Sequence, residues 1–330
     1  MTHKTFNKIA IYGAGAIGGW IGVKLSQVGC QISVVARGAT LQALQQNGLQ
    51  LDETGEQHGV AVQASASPAA LGVQDLVVIA VKAPALRDVA VQIAPLIGPN
   101  TVVLTAMNGV PWWFFHGFGE ALAGTQLSTI DPTGEIEQAI ATAHVVGCVV
   151  HASCSVDAPG VIRHHFGNGL IIGEPSGVPT ERVAQLAALL AEAGFKTSVS
   201  EQIQKDIWYK LWGNMTVNPI SAITGATTDL ILRDELVRGF MSRVMLEAKE
   251  IGARIGIPID QQPEDRHAVT LKLGAFKTSM LQDVEAGKTI ELDGLVTVVK
   301  ELGTLTGVDT PFTDALLGLA RLHARIRGLY

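Results

Sequence analysis

The sequence predicts an α/β protein, with an N-terminal Rossmann-type doubly wound sheet followed by an all-helical C-terminal domain. Three observations carry this expectation. A short apolar strand near the start runs into a glycine-rich turn and a helix; buried strands then alternate with helices to about residue 200; beyond that, strand signals vanish and helical periodicity continues. Strands and helices followed by helices alone imply two domains, 1–200 and 201–330, with a cleft between them. A length of 330 residues suits that division.

The first strand, Lys8–Tyr12, leads into Gly13-Ala14-Gly15-Ala16-Ile17-Gly18, then a helix through Trp20, Ile21, Val23 and Leu25, then a second strand at Gln31–Val35. Strand, G-x-G-x-x-G, helix and strand within about 30 residues form a dinucleotide-binding fingerprint. Gly13 allows the tight turn, Gly15 lets backbone approach a pyrophosphate, and Gly18 lets the helix pack close to the sheet. An NAD site usually carries an acid at the end of the second strand, but this chain has Arg37 there and no acid. Arg37 is either a solvated loop residue or a partner for a 2′-phosphate, and the second reading favours NADPH.

Further elements follow in order. Leu41–Asn47 reads as a helix, and Leu49–Leu51 and Val60–Ala64 as short strands. Asp75–Val81 and Thr101–Ala106 are continuous apolar runs, the mark of a parallel sheet covered on both faces, with a helix at Leu86–Leu96 between them. Lys82 and Asn108 fall just past the carboxyl ends of these strands, where open α/β sheets bind ligands. Trp112-Trp113-Phe114-Phe115 is read as core ahead of a pocket roof. Val145–Ser153 and Gly160–Glu174 read as late antiparallel strands with a turn at Gly167-Asn168-Gly169, Thr180–Ala193 as an amphipathic helix, and Lys196–Ser200 as an edge strand. Helical periodicity then marks Glu201–Ala222, Leu230–Ile255, Gln261–Thr270, Met280–Glu285, Leu292–Thr306 and Pro311–Arg327.

Composition narrows the class. Hydrophobic residues make up 47% and charged residues 16%, a well-packed globular balance. The net charge of -6 disfavours nucleic acid or an anionic membrane as partner, leaving a small-molecule substrate. Cys30, Cys148 and Cys154 lack metal-like spacing and read as reduced thiols of a cytoplasmic protein. No histidine cluster has metal-site spacing either, so no metal is expected. The start of the chain shows no signal-peptide pattern, and no run of 18 apolar residues occurs. The apolar helical half could support a homodimer.

Two stretches in that half carry chemistry. Lys210, Asn214 and Asn218 stand at i, i+4 and i+8, which on a helix form one slowly drifting stripe. Trp208, Leu211, Trp212, Met215 and Val217 beside them supply an apolar face. A buried helix that keeps one cation and two amides aligned either holds a polar network or faces a polar ligand. The second stretch runs from Lys277 to Gly294 and contains Ser279 and Glu291. Ser279 can cap a helix with Gln282 three residues on, and Thr289 can cap the next one. Both roles leave Ser279 and Glu291 free to face a ligand.

With these residues in hand, the chain resembles the ketopantoate reductase (2-dehydropantoate 2-reductase) family over nearly its full length. The resemblance rests on Gly13–Gly18, Arg37, Lys82 before Ala83, Asn108-Gly109, Lys210-x3-Asn214-x3-Asn218-Pro219, Ser279-Met-Leu-Gln-Asp283 and Glu291. It implies a 6-phosphogluconate dehydrogenase-like fold and NADPH-dependent reduction of a 2-oxo acid, in pantothenate biosynthesis. By the same resemblance Lys210 is the general acid, and Asn108 helps position cofactor and substrate. Asn214, Asn218 and Ser279 hold the carboxylate end, and Glu291 accepts a hydrogen bond from the substrate hydroxyl or from Lys210. Gly13 to Gly18, Arg37, Lys82 and Asn108 are the cofactor contacts. The chemistry suits these residue types: hydride delivery to a ketone builds negative charge on oxygen, which a protonated lysine neutralises.

Two departures stand out. Some members carry a further asparagine near the serine, where this chain has Gly274-Ala275-Phe276-Lys277, and Pro111-Trp-Trp-Phe-Phe is bulkier than the family pattern. Both leave room for another 2-oxo acid on the same machinery. A protein that senses NADP(H) without turnover is the alternative from a different class, and retention of Lys210, Asn214, Ser279 and Glu291 argues against it.

Overall fold

A computed structural model describes residues 5–330. The chain forms two compact units: residues up to Met107 together with Thr133–Ile203, and Asn108–Pro132 together with Gln204–Tyr330.

The first unit contains, in order, β1 (Lys8–Tyr12), α1 (Ala16–Gln27), β2 (Gln31–Val35), α2 (Gly38–Asn47), β3 (Leu49–Glu53), β4 (Glu56–Val60), β5 (Gln63–Ser65) and β6 (Leu76–Ile79). After these come α3 (Leu86–Gln92), β7 (Val102–Thr105), α4 (Glu135–Ala139), β8 (Val145–Ala158), β9 (Val161–Gly173), α5 (Glu181–Glu192) and β10 (Lys196–Val199). The ten strands form one sheet in the order β4-β3-β9-β8-β7-β6-β1-β2-β5, with β10 beside β9. The run β5-β2-β1-β6-β7-β8 is parallel throughout and follows the usual Rossmann order. That order reverses between β1 and β6, which fixes where a ligand crevice opens. Ile9, Ile11, Val77, Val78, Val103 and Leu104 are fully buried because both faces of these strands are covered.

Several elements differ from expectation for identifiable reasons. The β8–β9 hairpin reverses at Pro159-Gly160, where Gly160 has a φ of +78°. Gly167-Asn168-Gly169 instead continues β9, and the pairing is irregular around the facing residues His151 and Ser153. Glycine there serves a bulge rather than a turn: with a φ of +77°, Gly167 lies where a Cβ would come within 2.6 Å of the His151 carbonyl. The expected Val60–Ala64 strand is divided between β4 and β5. The helix at Leu86 stops at Gln92, and Pro95 leaves only a short 3-10 turn at Ala94–Leu96.

The α-helices of the second unit are α6 (Ile203–Thr224), α7 (Thr228–Arg233), α8 (Glu235–Arg254), α9 (Pro263–Leu271), α10 (Ser279–Glu285), α11 (Val298–Thr306) and α12 (Pro311–Arg325). The single helix expected over Leu230–Ile255 is two. Asp234 ends α7 and caps α8, its Oδ1 accepting from the Leu236 and Val237 amides at 3.0 Å each. A five-residue π-turn, Asp293–Thr297, precedes α11. Glu247 on α8 accepts from the amides of Phe312 and Thr313 at 2.8 Å each and so anchors the start of α12.

Membership of the second unit also departs from the expected 1–200 and 201–330 division. Asn108–Pro132 belongs with the helices because its aromatic run needs their core. Trp112, Trp113, Phe114 and Phe115 are all buried, Phe114 packs 6.3 Å from Trp208, and its carbonyl accepts from Gln204. The Glu301 carboxylate on α11 accepts from the backbone amides of Ser128 and Thr129 at 2.7 and 2.9 Å. No helix among the described residues is long and apolar enough to cross a membrane.

Candidate active site

Candidate residues lie in both units, and each set is built locally. In the first unit the glycine-rich turn joins β1 to α1. Gly13 has a φ of +99°, and a Cβ there would come within 2.7 Å of Val81. A Cβ at Gly18 would run into the Gly13 carbonyl, so α1 approaches the turn only because position 18 is bare. Gly15 differs: it is the N-cap of α1 without any side-chain cap, and nothing lies within 4 Å of its would-be Cβ. The turn is therefore closed at Gly13 and Gly18 and open at Gly15, above the first-turn amides beyond Ala14, those of Ala16, Ile17 and Gly18. Uncapped amides facing open space fit a pyrophosphate.

Arg37 follows β2 and is exposed, with its guanidinium 3.5 Å from Asp88 on α3. Burial pushes the Tyr12 phenol up, while Arg37 pulls it down and Asp88 pushes it up. Nothing in the sequence points to Asp88, because its approach to Arg37 depends on the sheet and not on spacing along the chain. Lys82, half-buried, directly precedes the 3-10 turn Ala83–Ala85 after β6. It therefore follows the strand that pairs with β1, where the strand order reverses.

In the second unit α6 carries the helical stripe. Trp208, Leu211, Trp212 and Met215 are buried, and the Trp212 indole donates to the Met245 carbonyl at 2.7 Å. This apolar face fixes the rotation of α6 and sets Lys210 and Asn214, both half-buried, on another side with buried Asn218 a turn further on. The Lys210 ammonium donates to Asn108 Oδ1 at 2.8 Å. These residues are 102 positions apart, so the contact itself is not legible in the sequence, although both residues stand out there.

The residues after Asn108 hold it in place. Gly109 has a φ of +84°, and a Cβ there would strike the Gly294 carbonyl; the next amide, of Val110, donates to that same carbonyl at 3.0 Å. Gly294 lies in the π-turn, a feature that recurs at functional sites. Just before the turn stands half-buried Glu291. Its flanks are pinned: the Ile290 amide donates to the Leu329 carbonyl at 3.0 Å, and the Tyr330 hydroxyl donates to Asp293 at 2.7 Å. Tyr330 and Asp293 carry no signal in the sequence, since nothing local links the end of the chain to this turn. The helix after Glu291 begins at Leu292, so Thr289 does not cap it.

Ser279 is not the cap of α10. Thr278 takes that place, its hydroxyl accepting from the Leu281 amide at 3.1 Å, which leaves Ser279 as the exposed first helical residue. The preceding stretch is fixed to α7: the Thr228 amide donates to the Phe276 carbonyl at 3.0 Å, and its hydroxyl to the Gly274 carbonyl at 2.8 Å. No group of three or more His, Cys, Asp or Glu that could hold a metal occurs among the described residues.

Comparison with known proteins adds an independent line. The family model described as "Ketopantoate reductase PanE/ApbA" matches residues 9–177, and its C-terminal counterpart matches 202–324. A 2-dehydropantoate 2-reductase of Mesorhizobium japonicum is 48% identical, covering 98% of this chain and 99% of its own length. A crystal structure assigned as a ketopantoate reductase from Ralstonia solanacearum MolK2 has a TM-score of 0.95 at 57% identity, covering 98% of this chain and all 100% of that one. D-mandelate dehydrogenase, solved with NADH and anilino(oxo)acetate, has a TM-score of 0.84 at 22% identity over 98% of this chain and 100% of its own, a likeness of fold.

Proposed function

The chain belongs to the ketopantoate reductase family, and from that premise we propose that it reduces 2-dehydropantoate to pantoate with NADPH, Lys210 acting as the general acid. The observation that carries the reading is the 2.8 Å contact from the Lys210 ammonium to Asn108. An ammonium carries three N–H donors, and the Asn108 amide oxygen accepts one of them. The uncapped amides at the open Gly15 turn would hold the pyrophosphate of the nicotinamide cofactor, which when bound would supply hydride to C2 of the oxo acid. As C2 gains that pair, the carbonyl π electrons move to oxygen, and Lys210 donates the proton that completes the alcohol. Solvent then returns a proton to the half-buried amine.

Asn108 holds the ammonium in place and contributes to cofactor and substrate positioning. Asn214, Asn218 and Ser279 supply neutral donors to the carboxylate end without adding another titrating group. Glu291 accepts from the substrate hydroxyl. NADPH is preferred over NADH because Arg37 stands where an NAD site carries an acid, and its ion pair with Asp88 is exposed and therefore weak. Cys30, Cys148 and Cys154 are all thiols rather than disulfide-bonded, which suits a cytoplasmic enzyme, and the exposed Leu319, Leu322 and Ile326 at the end of the chain suit a homodimer.

Initial rates of NADPH and NADH oxidation across a panel of 2-oxo acids test the reading. Ketopantoate with NADPH should give the highest kcat/KM. A clear preference for a different oxo acid would move the assignment within the family, and no turnover of any would remove it.

A further inference from the structure

Leu329 and Tyr330 stand after α12, where a backbone turn directs them. The Gly328 amide donates to the Arg325 carbonyl at 3.1 Å and the Leu329 amide to the Ala324 carbonyl at 2.9 Å, a Schellman closure with Gly328 at a φ of +68°. The Leu329 side chain is buried, and the Arg325 guanidinium carbon lies 5.6 Å from the centroid of the Tyr330 ring. From there the two residues reach the segment around Glu291. The Leu329 carbonyl accepts from the Ile290 amide at 3.0 Å, and the Tyr330 hydroxyl donates to Asp293 Oδ1 at 2.7 Å. Burial pushes the Tyr330 phenol up and Asp293 adds to this, against Thr297 and Arg321, so the hydroxyl keeps its proton at neutral pH. One bond thus lies on each side of Glu291.

Asp293 is also the residue that sets the π-turn. The Val298 amide, which an α-helix would aim at the Gly294 carbonyl four residues back, donates to the Asp293 carbonyl five back. The Gly294 carbonyl accepts from the Val110 amide at 3.0 Å, and that bond holds the loop whose Asn108 accepts from Lys210 at 2.8 Å. A π-turn is a rare geometry with an ordinary α-helical turn as its alternative. If Asp293 shifts and the turn rewinds as α-helix, the Val298 amide competes with Val110 for the Gly294 carbonyl. All of these residues belong to the second unit.

We propose that Leu329 and Tyr330 are positioning residues for proton transfer: by anchoring Ile290 and Asp293 they keep the π-turn wound, and through Gly294 they hold Asn108 against Lys210. This role requires no contact with substrate or cofactor. It rests on Lys210 as the general acid, and it extends the support of that lysine to the residues beyond α12. The Tyr330 side chain is partly open to water, which competes for its bond, so losing the hydroxyl has a moderate effect.

The test removes the hydroxyl alone. Tyr330→Phe keeps the ring over Arg325, so the melting temperature should stay close to wild type, while kcat for ketopantoate with NADPH should fall about fivefold to tenfold. Asp293→Ala should match it, and Asp293→Asn, which keeps an acceptor for the hydroxyl, should hold kcat within about twofold of wild type. In a Lys210→Ala background, where Asn108 has no ammonium to hold, adding Tyr330→Phe should change kcat by less than about twofold. Hydrogen–deuterium exchange reads the same link without turnover. The peptide bearing the Val110 amide should exchange faster in Tyr330→Phe, and one around Trp212 should not. An unchanged kcat, unchanged exchange at Val110, or a full loss in the Lys210→Ala background would each overturn the proposal. If Tyr330→Phe does not fold, the Asp293 variants decide: a loss in Asp293→Ala that Asp293→Asn restores supports the latch, and equal values refute it. If wild type turns over no ketopantoate, or Lys210→Ala keeps its rate, the proposed function fails. The latch is then judged by exchange, which must still quicken at Val110 in Tyr330→Phe.

Discussion

Replacing Lys210 with alanine separates chemistry from folding. Alanine is the better helix former, so α6 itself gains slightly. The variant loses the 2.8 Å hydrogen bond to Asn108, between half-buried groups that water can reach. A hydrogen bond to a charged group contributes about 1.5–3 kcal/mol when desolvated, and solvent screening here reduces that to roughly 1 kcal/mol. The buried Trp208, Leu211, Trp212 and Met215 face is untouched, so the melting temperature should move by only a few degrees. The rate should respond differently. Losing a positioned general acid costs roughly 10²–10⁴ in kcat, or about 3–5 kcal/mol of barrier. The assay is kcat and KM for ketopantoate from NADPH absorbance, with circular dichroism as the fold control and NADPH affinity measured separately. Lys210→Gln should regain some substrate affinity and none of the rate. A near-normal kcat in Lys210→Ala would refute the reasoning and reopen the choice of proton donor.

Three further perturbations probe other parts. Arg37→Ala should weaken NADPH by about 1.5–3 kcal/mol and leave NADH nearly unchanged; titration of both cofactors checks it, and equal losses would exclude 2′-phosphate recognition. Gly109→Ala meets both an unfavourable φ of +84° and the Gly294 carbonyl, so Asn108 should shift and kcat should fall by at least tenfold, roughly 1.4 kcal/mol; an unaltered kcat would show that the loop can give way. His267 is buried, and burial holds its pKa below the ordinary value, with Glu264 pulling it up and Arg238 and Arg266 pushing it down. Its contribution to stability is therefore present above the unfolded pKa of about 6.5 and is lost as pH falls toward the folded value. Melting temperatures between about pH 7 and 5 should fall less steeply for His267→Gln than for wild type.

What the sequence reveals depends on how local each feature is. The glycine turn and the α6 stripe were legible because their meaning lies in spacing along one element. The parallel strands were legible because burial on both faces writes a continuous apolar run. Thr278 capping α10 in place of Ser279 is a shift of one residue between two adequate caps, which only backbone geometry resolves. The π-turn is a backbone irregularity with no side-chain signature. Gly167 and Gly169 look the same whether they close a hairpin or sit in a bulged strand.

The division of the chain bears on its biosynthesis. The chain passes from one unit to the other three times, at 107/108, 132/133 and 203/204, so neither unit is a continuous piece. A ribosome exposes Trp112–Phe115 long before it has made α6, whose Trp208 and Gln204 are their eventual neighbours. Until then that aromatic segment has no native cover, and it is the stretch a holdase chaperone would bind during translation. It also means that cutting the gene at residue 200 to express the helical half alone removes four buried aromatics from that half's core, and such a fragment should be recovered as aggregate, whereas one linking 108–132 to 204–330 should stay in solution.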